Sequence, residues 1–144
     1  MQLEDSCHCG TVSFSLTSAH PYPYQRCYCS ICRKTQGGGG YAINIAGDAN
    51  SLKVRGRKNI AIYHALLKGE GEKRAHRSSA ERHFCLLCGS GLWLFSPEWP
   101  ELIHPFADRR LGLLRFRRDE LDVGIRFLVN RQTHAPMISR PISQ

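Results

Sequence analysis

The 144-residue sequence lacks any apolar run near the roughly 20 residues that a membrane-spanning helix requires. Its first five residues, Met-Gln-Leu-Glu-Asp, supply neither the basic start nor the apolar core of a secretory signal. Internal repeats, low-complexity tracts and linkers that would divide the chain are also missing. We therefore expect one soluble domain covering residues 1–144, with no membrane attachment and a cytoplasmic location.

Acidic residues are scarce relative to basic ones. The chain has 12 Asp and Glu against 20 Lys and Arg, which gives a formal net charge of +8. This excess favours acidic small molecules or polyanions as partners, without selecting between them. Apolar residues make up 42% of the chain and charged residues 22%, which is the composition of a folded protein rather than a disordered one.

Long helical patterns are few, whereas short strand signals are numerous. Alternating or turn-bounded apolar runs predict strands at residues 11–16, 41–45, 52–54, 75–79, 81–84, 92–95, 102–106 and 125–129. Residues 60–66 fit either a strand or a helix, and residues 109–122 are the best candidate for a helix or long loop. The run Gly37-Gly38-Gly39-Gly40 predicts a flexible loop. Together these signals predict a mainly β domain.

The cysteines are seven in number and lie in tight clusters: Cys7, Cys9, Cys27, Cys29, Cys32, Cys85 and Cys88. An odd count without a secretory signal argues against a disulfide framework. In a reducing cytoplasm, clustered cysteines are more often metal ligands or redox groups.

The first and last cysteine pairs favour a metal. If the chain around Cys7 and Cys9 is extended, both sulfurs point to the same side, whereas a disulfide between them would be strained. Cys85 and Cys88 enclose two residues and precede Gly89, which is typical of a tight turn whose N–H groups donate to thiolates. Their flanks resemble strands on both sides, which favours zinc over a thioredoxin-like redox motif between a strand and a helix.

The middle cluster holds three cysteines followed by two basic residues: Cys27, Cys29, Cys32, Arg33 and Lys34. Three thiols this close can bind one ion, and the basic neighbours would stabilise thiolates. Tetrahedral zinc with three protein ligands keeps an open position, which distinguishes a reactive site from a structural one. A histidine such as His20 could instead close the site as the fourth ligand.

Seven ligands divide most simply into four and three. The contiguous triplet would serve one ion, leaving Cys7, Cys9, Cys85 and Cys88 for the other. A competing division, as in a zinc ribbon, would combine the last pair with two cysteines of the triplet and would leave three cysteines unused.

Three ordered motifs contain all seven cysteines. Residues 7–12 read Cys-x-Cys-Gly-x-Val, residues 27–34 read Cys-x-Cys-Ser-x-Cys-Arg-Lys, and residues 84–89 read Phe-Cys-x-x-Cys-Gly. With residues 76–79 and Ala135-Pro136, this order resembles the glutathione-dependent formaldehyde-activating enzyme family over nearly the whole chain.

The resemblance implies a fold of small twisted antiparallel β-sheets, the Mss4-like or β-tent arrangement, stabilised by zinc. It implies a structural Zn²⁺ held by Cys7, Cys9, Cys85 and Cys88, and a catalytic Zn²⁺ held by Cys27, Cys29 and Cys32. It further implies a carbon–sulfur lyase that forms or cleaves S-hydroxymethylglutathione, with glutathione as co-substrate. Arg33 and Lys34 are candidate glutathione-binding residues, because their charges would attract its carboxylates.

Two other classes of function fit parts of the sequence. Basic clusters at residues 55–58 and 115–118 are compatible with a zinc-stabilised binding module for nucleic acid or another polyanion. Solvated surface explains both clusters more simply, so nucleic acid is not the expected partner. A thiol-redox protein is the third possibility. Either a monomer or a homodimer is compatible with the sequence.

Overall fold

The computed structural model describes residues 2–19, 24–36 and 40–107. Within these ranges it contains one α-helix, α1 (Ser30–Thr35), and the following strands: β1 (Gln2–Ser6), β2 (Ser13–Thr17), β3 (Tyr24–Cys27), β4 (Ala42–Ile45), β5 (Gly47–Asp48), β6 (Lys53–Arg55), β7 (Ile60–Leu67), β8 (His76–Cys85), β9 (Gly91–Phe95) and β10 (Leu102–Pro105). None of the described helices has the length and apolar character that crossing a membrane requires.

Several sequence-based expectations lie outside the described residues. These are the helix or loop at 109–122, the strand at 125–129, the basic cluster at 115–118, Ala135-Pro136, His20 and the first three glycines of the run at 37–40. They stay predictions.

The expected strands that fall in the described residues are present, with shifted ends. The ambiguous segment at 60–66 is strand β7, and the two pieces expected at 75–79 and 81–84 form the single strand β8. This strand runs on because it pairs with a neighbour on each side, β7 and β9. The strands β1, β3 and β5 and the helix α1 were not predicted. In β1 only Leu3 is buried, so pairing with β2 rather than an apolar pattern makes it a strand.

Among the described residues, the strand pairs are antiparallel and form three small sheets. The orders are β1-β2-β6, β5-β10-β9-β8-β7 and β3-β4. A single bridge between Asn44 and Phe106 connects β4 to the end of β10. The expectation of a mainly β fold with small antiparallel sheets is therefore confirmed.

The main core lies between the three-stranded and the five-stranded sheet. Alternation along β2 buries Phe14 and Leu16, and the facing sheet contributes Trp93 and Ile103. The rings of Phe14 and Trp93 meet edge to face with centroids 5.0 Å apart, a geometry that aromatic quadrupoles favour. Each such side chain contributes about 1.5–3 kcal/mol by leaving water.

The two faces of the five-stranded sheet carry different residues. Trp93 pairs with His83, and Cys85 lies two residues further along β8, so all three lie on the face that packs against the main core. We call this the core face. The register places Arg82 opposite Leu94 on the other face, which we call the second face.

A smaller cluster covers the second face. Leu94 packs against buried Cys32, Ala42 and Phe106, so this cluster joins α1, β4 and the end of β10 to the five-stranded sheet. The strands β8 and β9 therefore separate the first and last cysteine pairs from the middle triplet.

Candidate metal centres

Four cysteines from the two ends of the described chain meet in one place. We call them the four-cysteine group: Cys7, Cys9, Cys85 and Cys88. Their sulfurs all lie within 4.8 Å of one another, with Cys7 Sγ 3.4 Å and Cys85 Sγ 3.8 Å from Cys9 Sγ. These distances are too long for disulfides, and all four thiols are free. A tetrahedral zinc ion about 2.3 Å from each sulfur would set the sulfurs about 3.8 Å apart.

Cys7 and Cys9 lie in a turn, not on the extended chain that the sequence suggested. The Gly10 N–H donates to the Cys7 carbonyl at 3.0 Å, and Gly10 adopts a φ of +74°. A positive φ disfavours residues with a side chain, which accounts for glycine here. The Val12 N–H donates to Cys7 Sγ at 3.2 Å and so stabilises a thiolate. The expectation of an extended segment was therefore wrong, but the turn still brings the two sulfurs together.

Cys85 and Cys88 lie at the turn between β8 and β9. The Gly89 N–H donates to the Cys85 carbonyl at 2.9 Å, and Gly89 has a φ of +72°. The Ser90 hydroxyl lies 3.2 Å from Cys88 Sγ and accepts a hydrogen bond from the His8 N–H at 3.1 Å. This serine therefore joins the two cysteine-containing turns directly. The strands on both sides of the pair confirm the predicted setting.

The thiols of the four-cysteine group differ in acidity. Hydrogen bonds from Ser90 lower the pKa of Cys88 to about 5, and hydrogen bonds from Thr11 lower the pKa of Cys9. Burial raises the pKa of Cys85 to about 11, because the interior disfavours a bare thiolate. A bound cation would supply the compensating charge that Cys85 needs to ionise.

The remaining cysteines form the three-cysteine group: Cys27, Cys29 and Cys32. Cys27 ends β3, Cys29 is the N-cap of α1, and Cys32 lies within that helix with 1% of its surface exposed. Their sulfurs also lie within 4.8 Å of one another. A strand followed at once by a capped helix brings the three thiols together.

One thiol of this group ionises far more readily than the other two. Hydrogen bonds from Cys27 and Cys32 lower the pKa of Cys29 to about 2. The hydrogen bond to Cys29 raises the pKa of Cys27, and hydrogen bonds to Cys27 and Cys29 raise the pKa of Cys32, because each proton is held between two sulfurs. The group therefore carries one thiolate readily, and a cation is needed before the other two lose their protons.

The surroundings of the three-cysteine group are basic and aromatic. Arg33 and Lys34 lie exposed in the last turn of α1. Tyr28 and Tyr41 pack with ring centroids 5.6 Å apart, and the Arg26 guanidinium lies 5.0 Å from the Tyr41 ring centre. A small anionic molecule would meet positive charge and apolar surface here.

The two groups stay separate, so the structure does not combine the last cysteine pair with the triplet as a zinc ribbon would. Within residues 2–19, 24–36 and 40–107, no His, Asp or Glu ligand atom joins either cluster. His20, the fourth ligand that the sequence left open, lies outside these residues.

Two buried polar residues near the three-cysteine group escaped the sequence analysis. Arg82 and Asn44 are 8% and 5% exposed, and each has side-chain atoms without a hydrogen-bond partner in the structure. Both lie inside strands, where a single sequence shows only alternation. Their one signal in the sequence is an apolar or aromatic residue two positions away in the same strand, Phe84 for Arg82 and Ala42 for Asn44.

Comparison with known proteins places these motifs in a family. The family model described as "Glutathione-dependent formaldehyde-activating enzyme" matches residues 2–106. A Halomonas elongata protein named "Putative glutathione-dependent formaldehyde-activating enzyme" is 59% identical over 107 residues, which are 74% of this chain and 64% of that protein. The chain thus matches less than two thirds of that relative's length.

A solved structure supports the fold. The crystal structure of a Rhodobacter sphaeroides protein is 27% identical, with a TM-score of 0.53, and the match covers 73% of this chain and 83% of that one. The family model spans most of the described residues and includes all seven cysteines. The chain belongs to the glutathione-dependent formaldehyde-activating enzyme family.

Proposed function

We propose that the protein adds the thiol of glutathione to formaldehyde, and reverses this addition, at a zinc ion held by the three-cysteine group. The observation that carries the proposal is the pairing of a complete four-sulfur set with a separate set of three sulfurs. The first set is the ligand pattern of a structural zinc, and the second is that of a zinc with a free position.

The donor atoms in both groups suit zinc. Thiolates are soft ligands that select zinc over magnesium or calcium, and the sulfur separations match a tetrahedral ion. The residues that would hold the structural ion are Cys7, Cys9, Cys85 and Cys88, and those that would hold the reactive ion are Cys27, Cys29 and Cys32. Backbone and hydroxyl donors around the first set, such as the Val12 N–H, already stabilise thiolates.

The reaction needs a deprotonated thiol and a polarised carbonyl. A carbon–sulfur bond forms between glutathione and the formaldehyde carbon, the carbonyl π bond breaks, and the proton lost by sulfur ends on the new hydroxyl. No oxidant or reductant enters. Zinc with an open position makes a bound thiol more acidic and can polarise an oxygen.

The chain's own residues prepare the site. The hydrogen bonds that lower the pKa of Cys29 keep it a ready thiolate ligand, and burial holds Cys32 in one place. Arg33 and Lys34 would draw the carboxylates of glutathione towards the group. The cytoplasm, which holds reduced glutathione, suits this chemistry.

The test is zinc per chain in the wild type and in Cys29→Ser, combined with an assay of glutathione adduct formation from formaldehyde. We expect two zinc ions in the wild type, and one in a variant that stays folded and lacks activity. Ser90→Ala is a matched control, since it alters the other group. One zinc ion in both wild type and Cys29→Ser would contradict the proposal.

A second candidate rests on one specific observation. Cys29 and Cys32 are spaced Cys-x-x-Cys, follow a strand and begin a helix, which is the setting of a thioredoxin-like redox pair. The lowered pKa of Cys29 fits an attacking thiolate. A wild type that lacks the second zinc and has a midpoint potential near that of the cytoplasmic thiol pool would favour this function.

A further inference from the structure

The second face of the five-stranded sheet holds a buried charge beside the three-cysteine group. In the register, Arg82 on β8 lies opposite Leu94 on β9, and Leu94 lies opposite His104 on β10. Leu94 packs against the small cluster of Cys32, Ala42 and Phe106, and Cys27 and Cys29 pack against the same cluster. Arg82 is therefore one strand spacing, about 4.8 Å, from Leu94, which contacts this cluster.

Two nitrogens of the Arg82 side chain are unsatisfied. Only 8% of the residue is exposed, and neither Nε nor Nη1 has a hydrogen-bond partner in the structure. Arginine stays charged under all ordinary conditions, and burying a charge without a partner is strongly unfavourable. Buried charges in proteins are as a rule paired with a group of opposite charge.

No carboxylate in the described elements around Arg82 fills this role. The sequences of α1, β3 and β4 are SICRKT, YQRC and AINI, without Asp or Glu. The cross-strand neighbours on the same face are Tyr63 and Leu94. The ion pairs found among residues 2–19, 24–36 and 40–107 join histidines to glutamates and do not include Arg82.

A buried acceptor accompanies this donor. Asn44 is 5% exposed, and its Oδ1 has no partner in the structure. It lies two residues after Ala42 on β4, hence on the same side of that strand, and Ala42 packs against Cys32. The neighbourhood of the three-cysteine group therefore offers two unpaired donors and one unpaired acceptor.

We propose that Arg82 binds a carboxylate of the substrate thiol and that Asn44 accepts a hydrogen bond from one of its N–H groups, so that this pair selects a peptide thiol over a simple one. This inference rests on the proposed function, because it assigns the recognition part of the same site. A zwitterionic peptide thiol such as glutathione supplies both missing partners. The guanidinium fork matches a carboxylate with two parallel hydrogen bonds.

The test uses S-methylglutathione as a probe, measured by calorimetry on the zinc-loaded protein. Its capped sulfur cannot bind as a thiolate, so affinity reports the peptide part alone. We expect Arg82→Met to weaken binding about 10- to 100-fold, since it removes charged hydrogen bonds. Asn44→Leu should weaken it about 5-fold, since it removes a neutral one.

Controls separate recognition from folding. Arg77→Met makes the same charge change at an exposed position of β8, and should leave affinity unchanged. Arg82→Met should melt at or above the wild-type temperature without ligand, because it removes an uncompensated buried charge. Arg82→Lys keeps the charge and should retain part of the affinity. Loss of the folded circular dichroism spectrum in both Arg82 variants would make Arg82 structural and overturn the inference.

The failures of the two proposals are distinguishable. Cysteamine, a thiol without a carboxylate, should bind wild type and Arg82→Met equally. Equal affinity of both proteins for S-methylglutathione, or no binding by the wild type, would overturn the role of Arg82 and leave zinc chemistry intact. A wild type that binds S-methylglutathione through Arg82 but holds no second zinc would overturn the proposed function alone.

Discussion

Cys29 lies immediately before α1, and its sulfur accepts a hydrogen bond from the Cys32 N–H at 3.4 Å. One cysteine thereby acts as both helix cap and candidate metal ligand. A cap stabilises a helix by about 1 kcal/mol, and this helix has only six residues. Metal binding at this group would therefore also stabilise the local structure of α1, whereas the main core and the four-cysteine group are built from other residues.

Removing a ligand from the other group should unfold the protein. Cys85→Ser removes one sulfur from the four-cysteine group, which joins the turn after β1 to the turn after β8. Structural zinc supplies about 10–16 kcal/mol, which is comparable to the whole stability of a domain. We expect Cys85→Ser to lose its cooperative melting transition in circular dichroism, while Cys29→Ser keeps one. A Cys85→Ser protein that melts like the wild type would contradict a structural role for this group.

Gly56 should tolerate no side chain. Its φ is +81°, and a Cβ there would clash with the backbone carbonyl oxygen of Thr11, close to the turn at Cys7 and Cys9. We expect Gly56→Ala to lower the free energy of unfolding by about 3 kcal/mol, since neither backbone can easily shift.

Gly71 provides the matched control for this substitution. It has the same φ of +81°, but no described atom beyond its chain neighbours lies within 4 Å of the position that a Cβ would take. Gly71→Ala should therefore cost only the backbone strain, about 1 kcal/mol. Urea unfolding of both variants gives the comparison, and equal losses would show that the contact with Thr11 adds nothing.

Stability should fall in acid partly through His104. Burial lowers the pKa of this imidazole, so the unfolded chain binds a proton that the folded one resists. The stability that depends on neutral His104 is therefore fully present above the ordinary pKa of about 6.5, and it is lost as the pH falls below that value. His104→Gln should show a shallower decline in unfolding free energy between about pH 6.5 and pH 5. Parallel curves of unfolding free energy against pH for the wild type and His104→Gln would show that His104 does not contribute to the decline.

Arg33 should assist substrate capture through charge alone. It is exposed in the last turn of α1, so its attraction for a carboxylate is screened by salt. We expect Arg33→Ala to weaken glutathione binding about 2- to 5-fold at low salt, and much less at about 0.5 M salt. Lys53→Ala, which removes an exposed charge on β6, is the control. An unchanged affinity of Arg33→Ala for glutathione at low salt would show that Arg33 does not contribute to binding.

The cysteine groups were predictable because ligand spacing is local chemistry. Cys-x-Cys, Cys-x-x-Cys and a contiguous triplet identify partners within a few residues, and the division into four and three follows from the count. The turn at Cys7 was not predictable in the same way. It depends on the positive φ of Gly10 and on its hydrogen bond to Cys7, which an extended reading of the segment ignores.

Helix α1 and the proposed recognition residues, Arg82 and Asn44, could be identified only once the fold was known. The segment of α1 is too short for helical periodicity to show, and it forms because its cap and buried Cys32 pack on Phe106. Arg82 stands between Glu81 and His83, where a sequence reading suggests a solvated strand. Only the register across β7, β8 and β9 reveals that it is enclosed.

Strand β8 also sets a limit on how this chain can change in length. Arg82 and Cys85 are three residues apart, an odd number, so they lie on opposite faces of the sheet. Inserting or deleting one residue between them would turn one of the two to the wrong side. Evolutionary insertions should therefore gather in the β7–β8 connection at residues 68–75, where exposed chain can lengthen without disturbing either cysteine group.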